Sequence, residues 1–183
     1  MGKYFKIVVF FILFTVVSKE SKAQVYLGGG GVISQFSSAA LEEYRGIGAI
    51  VQRQIYLKDS RLSLTPTLQG SWLTDKQYNE NFSEFYTSVS VGVHLNYDLL
   101  SFNKFRFAPF AGPSFVWVTG TDAGVLAPVP QAVNFYRFGL EVGASMTYFH
   151  SEKFSIKLIP LTYTFSNKEF VQGNVLSLLF QIM

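Results

Sequence analysis

The segment from Phe85 to Tyr97 alternates for more than a dozen residues, with Phe85, Thr87, Val89, Val91, Val93, Leu95 and Tyr97 on one face and Tyr86, Ser88, Ser90, Gly92, His94 and Asn96 on the other. A period of two marks an extended strand whose faces meet different surroundings. The run exceeds the roughly 5–6 residues of a common globular strand. It suits the roughly 9–11 residues that a tilted strand needs to cross a bilayer. Arg61 to Trp72 repeats the pattern, setting Leu62, Leu64, Pro66, Leu68 and Trp72 against Arg61, Ser63, Thr65, Thr67, Gln69 and Ser71. Asn134 to Tyr148 and Lys104 to Val118 do the same, and Pro109 and Pro113 are read as bulge markers because proline cannot donate to a ladder. Four weaker segments, Val25 to Gln35, Tyr44 to Leu57, Phe154 to Phe165 and Asn174 to Met183, bring the expected strands to eight.

The start of the chain is of another kind. Lys3 and Lys6 lead into the apolar run Ile7 to Val17, which is too short to span a membrane as a helix, and Ser21 and Ala23 occupy the small-residue positions of an export cleavage site. Residues 1–23 are therefore read as a cleavable signal peptide and residues 24–183 as one barrel domain. The leader holds Lys3, Lys6, Lys19 and Lys22 against Glu20, so totals of 15 basic and 12 acidic residues reduce to eleven of each after cleavage. The basic excess that would suggest a nucleic-acid partner leaves with the leader, and no nucleic-acid binding is expected. Without cysteine there is neither a disulfide framework nor a thiolate metal site.

Charged residues make up 15% of the chain and aromatic residues 17%, with a positive mean hydropathy but no second long apolar run. Ordinary soluble domains carry about a quarter charged residues. A barrel that spreads its lipid-facing side chains over alternate positions accounts for this combination. The connections agree. Short segments at Lys58 to Ser60, Leu99 to Asn103 and Phe149 to Lys153 alternate with longer ones at Phe36 to Glu43, Thr74 to Ser83, Thr119 to Val133 and Ser166 to Gln172. Outer-membrane barrels place short turns in the periplasm and long loops outside, and an even strand number returns both ends of the domain to the periplasm. Tyr26, Tyr56, Trp72, Phe85, Tyr97, Phe105, Trp117, Tyr136, Tyr148 and Phe165 lie near strand ends, where interfacial girdles are expected.

The expected fold class is all-β: a closed antiparallel up-and-down transmembrane β-barrel of about eight strands. With its glycine-rich start Leu27 to Gly31 and the segment Phe110 to Pro113, the sequence from Gln24 to Met183 resembles the small eight-stranded outer-membrane β-barrel proteins, the porin-family group that includes the OmpA transmembrane domain and OmpX-like proteins. The chain ends in Leu179, Phe180, Gln181, Ile182 and Met183, whereas that group usually ends on an aromatic residue. The resemblance implies residence in the outer membrane of a Gram-negative-type bacterium. It also implies contact with outer-membrane lipid and lipopolysaccharide, and with the barrel-insertion machinery during biogenesis.

Arg61, Arg106, Arg137, Glu141 and Lys157 fall on expected inward faces, in a lumen that eight strands leave only wide enough for side chains. Buried charges need partners. Glu141, read as the one inward acid, is expected to be held by an arginine, Arg137 first. Arg53 alternates with Val51 and Ile55 and points to lipid unless a bulge between Gln52 and Gln54 reverses it. His150, Ser151 and Glu152 are consecutive in a turn and do not converge as a catalytic triad must. Gly28 to Gly31 lacks the lysine and helix of a phosphate loop. No catalytic residue, metal ligand or cofactor is assigned.

The long connections carry Glu42, Glu43, Asp75, Glu80, Glu84, Asp122 and Glu169 against Lys76 and Lys168. The leading expectation is a non-enzymatic outer-membrane barrel with a structural or surface-interaction role. Its polar lumen is filled by side chains, and its acidic outer loops face a surface ligand not yet known. Three alternatives stay open: a narrow anion-favouring pore, an outer-membrane lipid-modifying enzyme, and a soluble secreted carrier built like a lipocalin.

Overall fold

A computed structural model of the chain describes residues 23–35, 43–57, 60–75, 85–122, 131–151, 154–166 and 170–182, so the segment expected to be a signal peptide lies outside the described residues apart from Ala23. The strands are β1 (Ala23–Gln35), β2 (Glu43–Tyr56), β3 (Leu62–Asp75), β4 (Phe85–Tyr97), β5 (Leu100–Phe102), β6 (Phe105–Asp122), β7 (Gln131–Ser151), β8 (Phe154–Ser166) and β9 (Val171–Gln181). All pairings are antiparallel. The first and last strands meet, β1 with β9, and β4 pairs with β6, so eight long strands close on themselves and leave no sheet edge along the wall. No helix occurs among the described residues.

The short β5 continues β4 after an irregularity. Asn96 lies opposite Phe110 and Leu100 opposite Phe107, so the β4 side carries one residue more than β6. Asp98 keeps the inward parity of His94 and Asn96 and is buried, and the extra residue breaks the alternation after it, so that Leu99 and Leu100 are both exposed. Phe102 then lies opposite Phe105, joined by a two-residue turn whose Asn103 has φ 53°. Asparagine tolerates this left-handed conformation, which tight hairpins favour.

The faces are inside out relative to a soluble barrel. Along β4, Val89, Val93 and Leu95 are exposed on the outer surface while Ser88, Ser90, His94 and Asn96 are buried within. Trp72, Phe85, Tyr97, Phe105, Trp117, Tyr136 and Phe165 stand outward and exposed, as expected of girdle residues. Tyr26 and Tyr56 do not. Tyr26 is fully buried and Tyr56 lies 5.1 Å beneath the Arg106 guanidinium, because both share the inward parity of Gln24 and Gln54.

Two expectations about register are resolved. Arg53 faces outward and is half-buried, since β1 and β2 pair without a shift and Gln52 and Gln54 on either side are buried inward. Pro109 and Pro113 make no bulge: they lie opposite Ala144 and Leu140 in one unbroken register. A proline forfeits its own donor without displacing the residues beside it. The shifts fall instead between Ala144 and Met146 and between Phe149 and Ser151 in β7, and between Gly29 and Gly31 in β1, opposite a left-handed Leu176 with φ 52°. Each extra residue flips the alternation, so the inward set passes from Ile159 to Thr162 in β8 and from Asn174 to Ser177 in β9.

The connection expected from Thr119 to Val133 is shorter than the sequence suggested. β6 and β7 remain paired as far as Asp122 opposite Gln131, and Val133 and Phe135 pack onto a buried apolar cluster. That packing carries the hairpin past the point where polar residues begin.

The wall is strongly curved, and inward glycines permit the curvature. A Cβ on Gly112 would lie 2.0 Å from the Val93 carbonyl oxygen and 2.8 Å from the His94 Cα, both backbone atoms that cannot swing aside. Outward Gly70 has nothing within 4 Å. Gly112→Ala is expected to cost about 1–3 kcal/mol through overpacking, whereas Gly70→Ala changes stability by no more than about 0.5 kcal/mol. Urea unfolding of the refolded protein in phospholipid vesicles measures both; equal losses would contradict the register.

Candidate functional site

Among the described residues, the lumen is where polar and charged side chains are gathered out of water, and it is layered. At the end carrying the long loops, inward residues of five strands, Val32, Tyr44, Leu73, Tyr86, Val116 and Val118, form an apolar cluster. Phe170, from the β8–β9 connection, is inserted into it and is fully buried. The Tyr44 and Tyr86 rings meet edge to face at 4.8 Å, and Phe135 meets Phe170 at 6.2 Å. This end of the lumen is therefore apolar, which corrects the expectation of a polar interior throughout. The sequence signal was present in the inward parity of Val116 and Val118, but Phe170 lay in a presumed loop.

Below the cluster the lining turns polar. Ser88 Oγ donates to Gln172 Oε1 at 3.3 Å. Gln69 and Asn174 exchange two amide bonds, Nε2 to Oδ1 at 2.7 Å and Nδ2 to Oε1 at 2.9 Å, and Asn174 Nδ2 also donates to Thr162 Oγ1 at 2.9 Å. Such pairing offsets the desolvation of four polar atoms that would otherwise each cost about 1–3 kcal/mol.

At mid-lumen Glu141 meets His94, not an arginine. His94 Nε2 lies 3.1 Å from Glu141 Oε2, and both side chains are buried. Gly112 makes the contact possible. It lies opposite Glu141 in the β6–β7 register and against the His94 Cα on its other side, so the two side chains meet over the position where a third would stand. Thr67 Oγ1 lies 3.3 Å from His94 Nδ1, completing a chain of hydroxyl, imidazole and carboxylate. The same hydroxyl donates to the Thr65 carbonyl, and His94 is 1% exposed beneath packed side chains. A relay of this order needs a substrate within reach of its hydroxyl; what the geometry makes is a clasp between β4 and β7.

The other expected lumen cations separate. Arg137 is half-buried near the loop end, its guanidinium 4.4 Å over the Phe135 ring and its Nη1 donating to the Tyr136 carbonyl. Four residues of strand hold it away from Glu141 and stacking claims its planar face. Lys157 is 2% exposed, donates to Gln54 Oε1 at 2.6 Å and sits 4.0 Å over the Tyr26 ring. Gln54 in turn donates to Ser63, and the Tyr26 hydroxyl is hydrogen-bonded at 2.9 Å to Ser155, which donates to Gln181. Between this layer and the His94 clasp, Ile50, Phe110, Ile159 and Leu179 join Tyr26 in a second apolar cluster.

Arg106 closes the turn end. Its Nη1 lies 3.3 Å from Asp98 Oδ2, and its guanidinium is held between the Tyr56 and Phe149 rings at 5.1 and 4.7 Å. Asp98 is also an inward acid, one residue beyond the expected strand end at Tyr97 and on the same parity as His94 and Asn96; Glu141 is therefore not alone. Burial raises the Asp98 carboxyl above its ordinary value, opposed by Arg106, Lys157 and Arg61. Arg61 is not a lumen residue. β3 begins at Leu62, and Arg61 stands exposed at the rim, its carbonyl accepting the Asp98 amide at 2.8 Å.

Of the expected loop acids, Glu42, Glu80, Glu84 and Glu169 lie outside the described residues. Asp75 and Asp122 are the last residues of β3 and β6. Glu43 opens β2 and accepts a bond from Arg45 Nε. His150 is exposed and packs edge to face on Phe154.

The clasp predicts a specific coupling. In a double-mutant cycle, Glu141→Gln and His94→Leu should interact by about 0.5–3 kcal/mol, as contacting residues do, while Glu141→Gln and Arg137→Met should be additive. Unfolding in vesicles reads both cycles. Coupling to Arg137 alone would overturn the assignment.

No family model and no curated protein matches the sequence. Solved structures do. Neisserial surface protein A superposes with a TM-score of 0.62 at 14% identity, over 87% of this chain and 97% of that one. A major outer membrane protein of Thermus thermophilus gives 0.57 at 13% identity, over 85% and 98%. The attachment invasion locus protein of Yersinia pestis, Ail, gives 0.56 at 12% identity, over 89% and 98%. The chain thus has the fold of the small eight-stranded outer-membrane β-barrels.

Proposed function

We propose that the chain is a non-enzymatic barrel of the outer membrane, with its turn end in the periplasm, that serves as a closed scaffold for its outer loops. The observation that carries this reading is the stoppered lumen. An apolar cluster closed by Phe170, the His94–Glu141 clasp, the Lys157 layer and the stacked Arg106 follow one another from one mouth to the other. An anion-favouring pore would need its cations facing a continuous wet path. Lys157 and Arg106 are instead turned onto rings and amide or carboxylate oxygens. The apolar exterior, around a lumen that is polar for part of its length, is the reverse of what a soluble carrier requires.

Surface interaction is the natural use of such a scaffold, and charge narrows the ligand. Ail has been crystallised with the heparin analogue sucrose octasulfate. The loops of this chain hold Glu42, Glu80, Glu84 and Glu169 against Lys76 and Lys168, a balance that favours divalent cations or a basic partner over a sulfated sugar.

The refolded protein in planar bilayers should carry no steady current at either polarity. A sustained anion-selective conductance from the unmodified chain would replace the scaffold by the pore.

A further inference from the structure

Where β5 folds against β6, the outer surface of the turn end is not a smooth wall. Leu100, Phe102, Phe105, Phe107 and Met146, with part of Arg106, enclose an apolar crevice of about 420 Å³. That lies within the roughly 300–1,000 Å³ typical of small-molecule sites. Leu100 is 62% exposed, Phe102 80% and Phe105 58%, more than the outward apolar side chains of the adjoining β4. The walls are braced: Phe105 packs on Tyr148 at 4.9 Å, and the Phe149 amide donates to the Lys104 carbonyl at 2.8 Å.

Two features identify the occupant. The crevice is continuous with the exposed apolar band, through Met146 on β7 and through Leu95 and Tyr97 on β4. At the tip of the same hairpin the exposed Lys104 follows Asn103, so an ammonium stands where the apolar surface ends. An acyl chain fits the first and a phosphate the second. We propose that this rim is a binding site for an anionic glycerophospholipid of the periplasm-facing leaflet. One acyl chain lies along Leu100, Phe102, Phe107 and Met146, and the headgroup phosphate meets the Lys104 ammonium. The site rests on the membrane placement and orientation proposed above. The one-residue irregularity before Leu100 shapes it: alternation already sends Asp98 inside and Leu99 out, and the extra residue sets Leu100 on the outer face beside Leu99.

The test uses Leu99→Trp, beside the crevice but not lining it, in the full mature chain with Trp72→Phe and Trp117→Phe. The protein is refolded into phosphatidylcholine vesicles containing a minor fraction of acyl-brominated phosphatidylglycerol or, in a parallel series, acyl-brominated phosphatidylcholine. At equal fractions, quenching should reveal about a fivefold apparent preference for the phosphatidylglycerol, the scale of one lysine facing an anionic lipid surface. Lys104→Gln should reduce that preference to near one. Quenching that follows bulk composition equally for both lipids would overturn the site and leave only annular lipid. An unquenched, water-exposed indole would also overturn it, by placing the hairpin outside the bilayer. Failure of the parent chain to give a heat-modifiable folded form in any vesicle would instead count against the membrane placement.

Discussion

Closure of the sheet through the β1–β9 pairing is the constraint on which everything else depends. In hydrocarbon an unpaired backbone amide or carbonyl costs several kcal/mol, so a sheet persists there only if it has no edge. Once eight strands close, the alternation of each strand divides the chain in two. One half of the side chains meets lipid and the other meets itself across a narrow space. The identity of almost every residue in the wall follows from which half it joined.

The narrowness has its own consequences. A strongly coiled wall leaves no room for a side chain at positions such as Gly112, and that vacancy is what the His94 and Glu141 side chains use to meet. Steric necessity and electrostatic pairing are the same feature seen from two sides. Near the turn end the solution differs. Burying Lys157 requires both a strong acceptor in Gln54 and the face of Tyr26, and Arg106 needs two rings and a carboxylate. Cations inside a membrane wall are kept where partners of this kind face them.

Much of the wall was legible because period-two alternation is a local property. Phe85 to Tyr97 and Asn134 to Tyr148 carry their facing on their surface, and the expected strands match the observed ones to within a few residues at most ends. Partners were less legible, because they depend on register between strands. Glu141 on its own strand offers Arg137 as a neighbour; only the placement of Gly112 between β4 and β7 brings in His94. Positions that break the period were illegible. Leu100 and Leu176 belong to irregularities that no alternating pattern announces, and Pro109 and Pro113, which looked like irregularities, sit in regular pairs. Phe170 was taken for loop because its burial depends on an apolar cluster assembled from five distant strands.

The central claim is that the outward half of this alternation faces hydrocarbon and the inward half does not. It is tested most directly by placing arginine in turn at Phe85, Val89, Val91, Val93 and Tyr97, the outward positions of β4, and measuring unfolding free energy in phospholipid vesicles. A lipid-facing strand predicts losses of about 2–4 kcal/mol at the central valines, falling to about 0–1 kcal/mol at the two ends. A flat profile, or one that is greatest at Phe85 and Tyr97, would contradict it.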